Sequence, residues 1–307
     1  MAMLLTSCAR EPAAPLRVGL NPWPGYEFLY LAEVKHFYEQ EGVAIKLVQF
    51  NSLADALHAY ERGQVDVLGC TIIELLMARA ESARQATAFF VPDYSNGADM
   101  LLANQEIGAL AELKGKRIGV ELGSLGVFML ARALDQAKLT MADITVVSSD
   151  QLSMEDDMQH GKLDAIVTYP PVGVRLEATG KYRRLFSSAQ IPGEVVDVLM
   201  ADERILAERL TEIRKLVAAF RRAQEYALAH QDEAYAIMAE REGISAADFK
   251  TALSEGITLP SFEQQAALLA RNGTVVAALR RAEQALLEAK QISRPTEPER
   301  AVSTAAL

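Results

Sequence analysis

Residues 115–134 read GKRIGVELGSLGVFMLARAL, with Gly119, Gly123 and Gly126 between a β-branched run and an apolar, helix-like segment. A glycine turn that opens a helix leaves backbone N–H groups free, here those of Ser124, Leu125 and Gly126, and lets a ligand approach the main chain. The spacing, G-x-x-x-G-x-x-G, matches neither the dinucleotide pattern G-x-G-x-x-G nor a P-loop ending in Gly-Lys-Ser/Thr. Glu121 stands in the turn, where its charge would repel a phosphate. Nucleotide binding is therefore set aside. Two readings stay open: a cradle for another ligand, or glycines that serve only a tight turn.

The other loops that follow strand-like runs share a chemical character. NPWPGYE offers Trp23, Gly25, Tyr26 and Glu27. Thr71 follows VDVLGC. DYSNGAD offers Tyr94, Ser95, Asn96 and Asp99. VTYPPV offers Thr168 and Tyr169, and IPGEVVD offers Glu194 and Asp197. Rings and carboxylates recur, and no Lys or Arg occurs in these loops. Arg175 is the nearest, about a turn into the next helix. Rings stack on flat or cationic groups, and carboxylates accept from amines. The four histidines, His36, His58, His160 and His230, are scattered outside these loops, so no Ser/His/Asp set is visible. Two cysteines, Cys8 and Cys70, exclude a disulfide framework and a cysteine-based metal site.

The elements that must position these loops are legible in outline. LRVGL reads as a buried strand, FLYLAEVKHFYEQEG as a helix stopped by Gly42, and VAIKLVQF as a strand. SLADALHAYERG reads as a helix with Ser52 as N-cap, followed by the strand VDVLGC and the helix TIIELLMARA. Alternation of this kind implies a parallel sheet covered by helices. The plan then repeats. Arg17-Val18-Gly19-Leu20 corresponds to Arg117-Ile118-Gly119-Val120, at an offset of 100 residues. Arg62-Gly63-Gln64-Val65-Asp66-Val67 corresponds to His160-Gly161-Lys162-Leu163-Asp164-Ala165, at an offset of 98. Two α/β halves imply a cleft, and ligands of such sheets bind beyond the carboxyl ends of the strands. Residues 203–229 read as one long helix, with further helices to about 289, broken at Gly243, Gly256–Pro260 and Asn272-Gly273. Residues 290–307 lack periodicity, and disorder is expected there.

Bulk properties agree with a globular protein. The 307 residues are 50% hydrophobic and 23% charged, with a formal net charge of −10. An acidic surface argues against a nucleic-acid partner. No apolar run is long enough for a membrane span. At the start, Leu5-Thr6-Ser7-Cys8 resembles a bacterial lipobox, and AREPAAP a tether. This gives the expectation of a lipid anchor through Cys8 on an exported protein.

LRVGLNPWPGYEFLYLAEVKHFYEQEGVAIKL, ALHAYERGQVDVLG and LKGKRIGVELGSLGVFMLARAL together resemble the substrate-binding proteins of nitrate/sulfonate/taurine-type ABC importers, the SsuA/TauA or NMT1/THI5-like family. The resemblance covers about residues 16–230. It implies an α/β fold of the periplasmic binding protein type 2, with two Rossmann-like lobes, a central cleft and a helical C-terminal part. The expected division is a leader remnant at 1–15, a discontinuous first lobe of 16–97 plus 200–289, a second lobe of 98–199, and a tail of 290–307. It further implies capture of a small molecule by hinge closure, a periplasmic location, permease subunits as partners and a monomer; with no Ser/His/Asp set in the cleft loops, neither enzymatic activity nor a cofactor is expected. The family's ligand-contact regions carry over to Trp23, Gly25, Tyr26, Thr71, Ser95, Asn96, Gly123, Ser124 and Tyr169. A ring of Glu27, Asp99, Glu121, Glu194 and Asp197 departs from the oxyanion binders and points to an amine-bearing or N-heterocyclic solute. An oxyanion binder, a sensory module and an enzyme on the same fold remain the alternatives. The cysteine-rich CCCFC motif of the pyrimidine synthases of this group is absent.

Overall fold

The computed structural model describes residues 14–307. Cys8, and with it the expected anchor, lies outside the described residues. The chain opens with β1 (Leu16–Leu20), α1 (Glu27–Val34), α2 (Phe37–Glu41), β2 (Ile45–Gln49), α3 (Leu53–Glu61), β3 (Val67–Thr71), α4 (Ile72–Glu81) and β4 (Ala86–Phe90). Local chemistry sets the boundaries. Gly42 ends α2 at φ +66°, a conformation that costs glycine no Cβ clash. Ser52 caps α3 by accepting from the Asp55 N–H at 3.1 Å. Thr71 and Glu74 form a capping box at the start of α4.

The chain then crosses over through a short β5 (Tyr94–Ser95) into β6 (Met100–Asn104), β7 (Arg117–Val120), α5 (Leu125–Gln136), β8 (Thr145–Ser148), α6 (Gln151–Gln159), β9 (Ala165–Thr168), α7 (Val172–Ala178) and β10 (Tyr182–Ser187). It returns as β11 (Asp197–Asp202). There follow α8 (Glu203–Glu208), α9 (Leu210–Ala229), α10 (Gln231–Glu242), α11 (Ala246–Glu255), β12 (Ile257–Thr258), α12 (Gln265–Leu268) and α13 (Thr274–Glu288).

Two five-stranded sheets result, ordered β2-β1-β3-β11-β4 and β8-β7-β9-β6-β10. Their patterns correspond strand for strand. In each, the first three strands are parallel and the fourth is antiparallel to both neighbours. That fourth strand, β11 or β6, is the one that arrives by crossing from the other half. The repeat read from the sequence extends to single bonds. Arg17 donates from its backbone N–H (2.9 Å) and Nε (3.0 Å) to Asp66 Oδ2. Arg117 does the same to Asp164 Oδ2 at 2.8 and 3.1 Å.

The helix expected over 203–229 is two. Arg209 leaves helical geometry (φ −116°, ψ 24°), and its guanidinium comes within 3.6 Å of Asp66 and bonds the Ala14 carbonyl. Beyond it α9 buries Ile213, Leu216, Val217, Phe220, Ala223 and Ala227 on one face. Phe220 packs its ring 5.6 Å from Phe28 and 5.1 Å from Phe90. No helix among the described residues is long and apolar enough to cross a membrane.

The expectation of disorder at 290–307 is corrected. Ile292, Thr296, Ala301 and Ala306 are buried, and Val302 bridges Ala88 of β4 in parallel. The Ala88 N–H donates to the Ala301 carbonyl (2.9 Å), and the Ser303 N–H to the Ala88 carbonyl (2.8 Å). The cause is the free edge of β4, whose backbone groups need partners. Deleting residues 301–307 should lower the unfolding free energy by about 1–3 kcal/mol, the worth of two lost bonds and the groups left behind. Urea denaturation measures this; an unchanged midpoint would mean that the tail contributes nothing.

Candidate functional site

The carboxyl ends of both sheets face one another around a small cavity of about 20 Å³. The loop after β1 supplies Asn21, Trp23 and Tyr26. Thr71 ends β3, Asp99 precedes β6, Asp197 opens β11 and Tyr169 follows β9. Leu53 and Leu125 close the walls with the first residues of α3 and α5. Trp23 of one half meets Tyr169 of the other edge-on, with ring centroids 6.1 Å apart. The Asn21 amide also reaches the Tyr169 hydroxyl at 3.4 Å.

Two carboxyl groups, those of Asp99 and Asp197, line the cavity, and Asp93 bonds the lining residue Trp23. The indole N–H of Trp23 donates to both oxygens of Asp93 at 3.2 Å, and the Tyr26 hydroxyl donates to Asp197. The Asp99 backbone N–H donates to Ser95 Oγ at 3.2 Å, and Ser95 is itself hydrogen-bonded to Ser188 at 2.7 Å. Asp93, Asp99 and Asp197 are all at least 97% buried. Burial pushes Asp93 and Asp99 up to about 7, and the nearby Asp99 charge adds to the rise at Asp93. Burial and then the Asp93 charge push Asp197 well above the carboxylate range. Glu121 is raised by burial too. Three buried oxygens of the lining have no partner among the described residues, Asn21 Oδ1, Asp99 Oδ2 and Asp197 Oδ2; nor has Glu121 Oε2, whose residue is outside the lining. Nor does any Lys or Arg among the described residues line the cavity.

Of the residues singled out in the sequence, Trp23, Tyr26, Thr71, Asp99, Tyr169 and Asp197 come together here. Others support the site. Thr71 uses its hydroxyl to cap α4, and Ser95 holds Asp99. Ser124 caps α5, and Glu121 reaches across to α3. Gly25 admits Asp93, since a Cβ on it would stand 1.8 Å from Asp93 Oδ2.

Four lie elsewhere, two of them, Glu27 and Glu194, from the expected acidic ring. Glu27 turns away, buried against α10 and paired with Arg241. Glu194 pairs with Arg132 of α5 at 2.8 and 3.0 Å. Asn96 lines a separate groove between α7 and α11. Gly123 (φ +74°) sits in an exposed turn with nothing near its Cβ position. Sequence reading missed Asn21, Asp93 and Glu74. Asn21 was findable, for it follows β1 as Glu121 follows β7, at the same offset of 100.

This architecture is the periplasmic binding protein fold of type 2: two halves joined by crossing segments, with the cavity between them. The chain belongs to the NMT1/THI5-like family, whose model matches residues 23–234. A Brucella abortus (strain 2308) protein that carries the provisional name of binding protein is 24% identical over 275 residues, 88% of this chain and 84% of its own length. Among solved structures, the alkanesulfonate-binding protein SsuA of Xanthomonas axonopodis pv. citri, bound to MOPS, superposes with a TM-score of 0.80. It is 20% identical, covering 96% of this chain and 99% of its own. The nitrate-binding protein NrtA of Synechocystis PCC 6803 gives 0.77 at 9% identity, covering 95% and 86%. At these identities the likeness is one of fold.

Gly25→Ala should destabilise the protein by about 1–3 kcal/mol, the usual cost of an overpacked contact. It should also shift the emission of Trp23, the only tryptophan. Thermal melts and fluorescence read both; a wild-type melt and spectrum together would mean that Asp93 does not depend on this glycine.

Proposed function

We propose that this chain is the extracytoplasmic solute-binding component of an ABC importer, and that it captures a small amine-bearing or N-heterocyclic solute by closure of its halves. In this reading it acts as a monomer in the periplasm, hands its guest to membrane permease subunits and leaves it chemically unchanged. The observation that carries the proposal is the set of buried, unpartnered acceptor oxygens in a cavity with no basic side chain among the described residues. Sulfonate or nitrate, the ligands in the names of the superposed proteins, would meet like charge and no cation here. A cation would supply the donors that Asp99 and Asp197 lack, in charge-assisted bonds, while Trp23 and Tyr169 offer ring faces or edges to a flat guest. The carboxylates do not converge as metal ligands: among the described residues, no group of three or more His, Cys, Asp or Glu is arranged to hold an ion. Nor does the cavity offer a nucleophile and base. No histidine among the described residues lines it, and burial pushes the Cys70 thiol well up.

The pH dependence follows from the raised carboxyls. Below about 7 a proton occupies Asp99 and competes with a cationic guest; above it the proton leaves and the guest replaces it. Calorimetric titration with small aromatic and pyrimidine amines should show affinity falling about tenfold per pH unit from 7 to 5 for one displaced proton. Asp99→Asn should weaken binding at pH 8 at least about tenfold, the worth of a charge-assisted bond. Tight binding of nitrate or taurine without amine binding would overturn the proposal.

A further inference from the structure

Two glutamates cross between the halves in opposite directions. Glu121 follows β7 of the second sheet, and its Oε1 accepts from the Ala54 N–H in the first turn of α3, in the first half, at 2.6 Å. Glu74 belongs to α4 of the first half, and its Oε1 accepts from the Leu125 N–H at the start of α5, in the second half, at 2.7 Å. Both are almost fully buried. Each bond joins a carboxylate to the N-terminus of a helix of eight residues or more, where unsatisfied N–H groups and the helix dipole favour negative charge. The two bonds converge on one segment, since Glu121 and Leu125 are the ends of a single turn. The glycine turn of residues 121–126 is thus gripped at one end by α3 and at the other by Glu74.

We infer that Glu74 and Glu121 form a reciprocal latch that holds the two halves shut. Each half lends a carboxylate to a helix end of the other, so neither bond survives if the halves part. Glu74 is held in place on its own side. Its Oε2 accepts from the Thr71 N–H at 3.0 Å and from the Thr71 hydroxyl, which fixes the carboxylate while Oε1 reaches out. Glu121 keeps Oε2 unpartnered. A guest N–H at that oxygen would make the latch residue a ligand contact as well. This last coupling rests on the proposed solute site; the latch does not.

Amide hydrogen exchange on the full chain without added solute tests the latch. In the wild type the amides of Ala54 and Leu125 should be protected. The informative comparison is crossed. Glu74→Gln should speed exchange at Ala54, and Glu121→Gln at Leu125, by about tenfold or more, because loss of either bond opens both. Leu125→Pro supplies a second route. Proline suits the first helical position and removes the donor N–H outright, and exchange is then read at Ala54. Thermal melts check that each variant folds. Free exchange of both amides in the wild type would overturn the inference. So would variants that change only the amide they touch, which would make the glutamates two independent helix caps. Either failure leaves amine binding, measured separately, where it stood.

Discussion

Everything about this cavity turns on one cost, that of enclosing carboxylates with no basic partner. Moving Asp99 from its ordinary value of 3.8 to about 7 corresponds to roughly 4 kcal/mol at 1.36 kcal/mol per unit. Asp93, Asp197 and Glu121 add to the same burden. Because these pKa values are raised, this form is most stable in acid and loses stability as pH rises through about 7. Under the proposed function, a guest with N–H donors and positive charge would remove that penalty, and closing would be conditional on what is inside.

Duplication supplies the frame and divergence supplies the chemistry. Arg17–Asp66 and Arg117–Asp164 are the same pair built twice, at the ends of the sheets away from the cavity. They are partly exposed, and such pairs contribute little to stability. At the cavity the equivalent positions differ. Asn21 and Glu121 follow equivalent strands, β1 and β7, and both keep an unpartnered oxygen, but only Glu121 is long enough to reach a helix in the opposite half.

How much of this was legible depends on how locally each feature is determined. Strand and helix alternation, the caps at Ser52 and Gly42 and the repeat were readable, since short-range periodicity and turn chemistry set them. Trp23, Tyr26, Asp99, Tyr169 and Asp197 were readable because loops after strands must meet in this topology. Glu27 misled: it follows Tyr26 directly, and one helical step of about 100° turns it from the cavity to α10. Glu194 misled because its partner Arg132 is distant in sequence and shows no pattern beside it. Glu74 lay hidden in an apolar helix, although Thr71-Ile72-Ile73-Glu74 has the spacing of a capping box. The tail gave no signal, because a single bridge to β4 needs no repeat.

The exchange of β6 and β11 bears on how the chain is made. In the finished sheet β4 does not pair with β3; β11 lies between them. All five residues of β4, Ala86–Phe90, are buried and nearly all apolar. During synthesis that strand must wait for β11, which leaves the ribosome roughly a hundred residues later. That is on the order of ten seconds at ordinary elongation rates. For that interval an apolar strand lacks its neighbour, a period in which a holding chaperone would protect the growing chain.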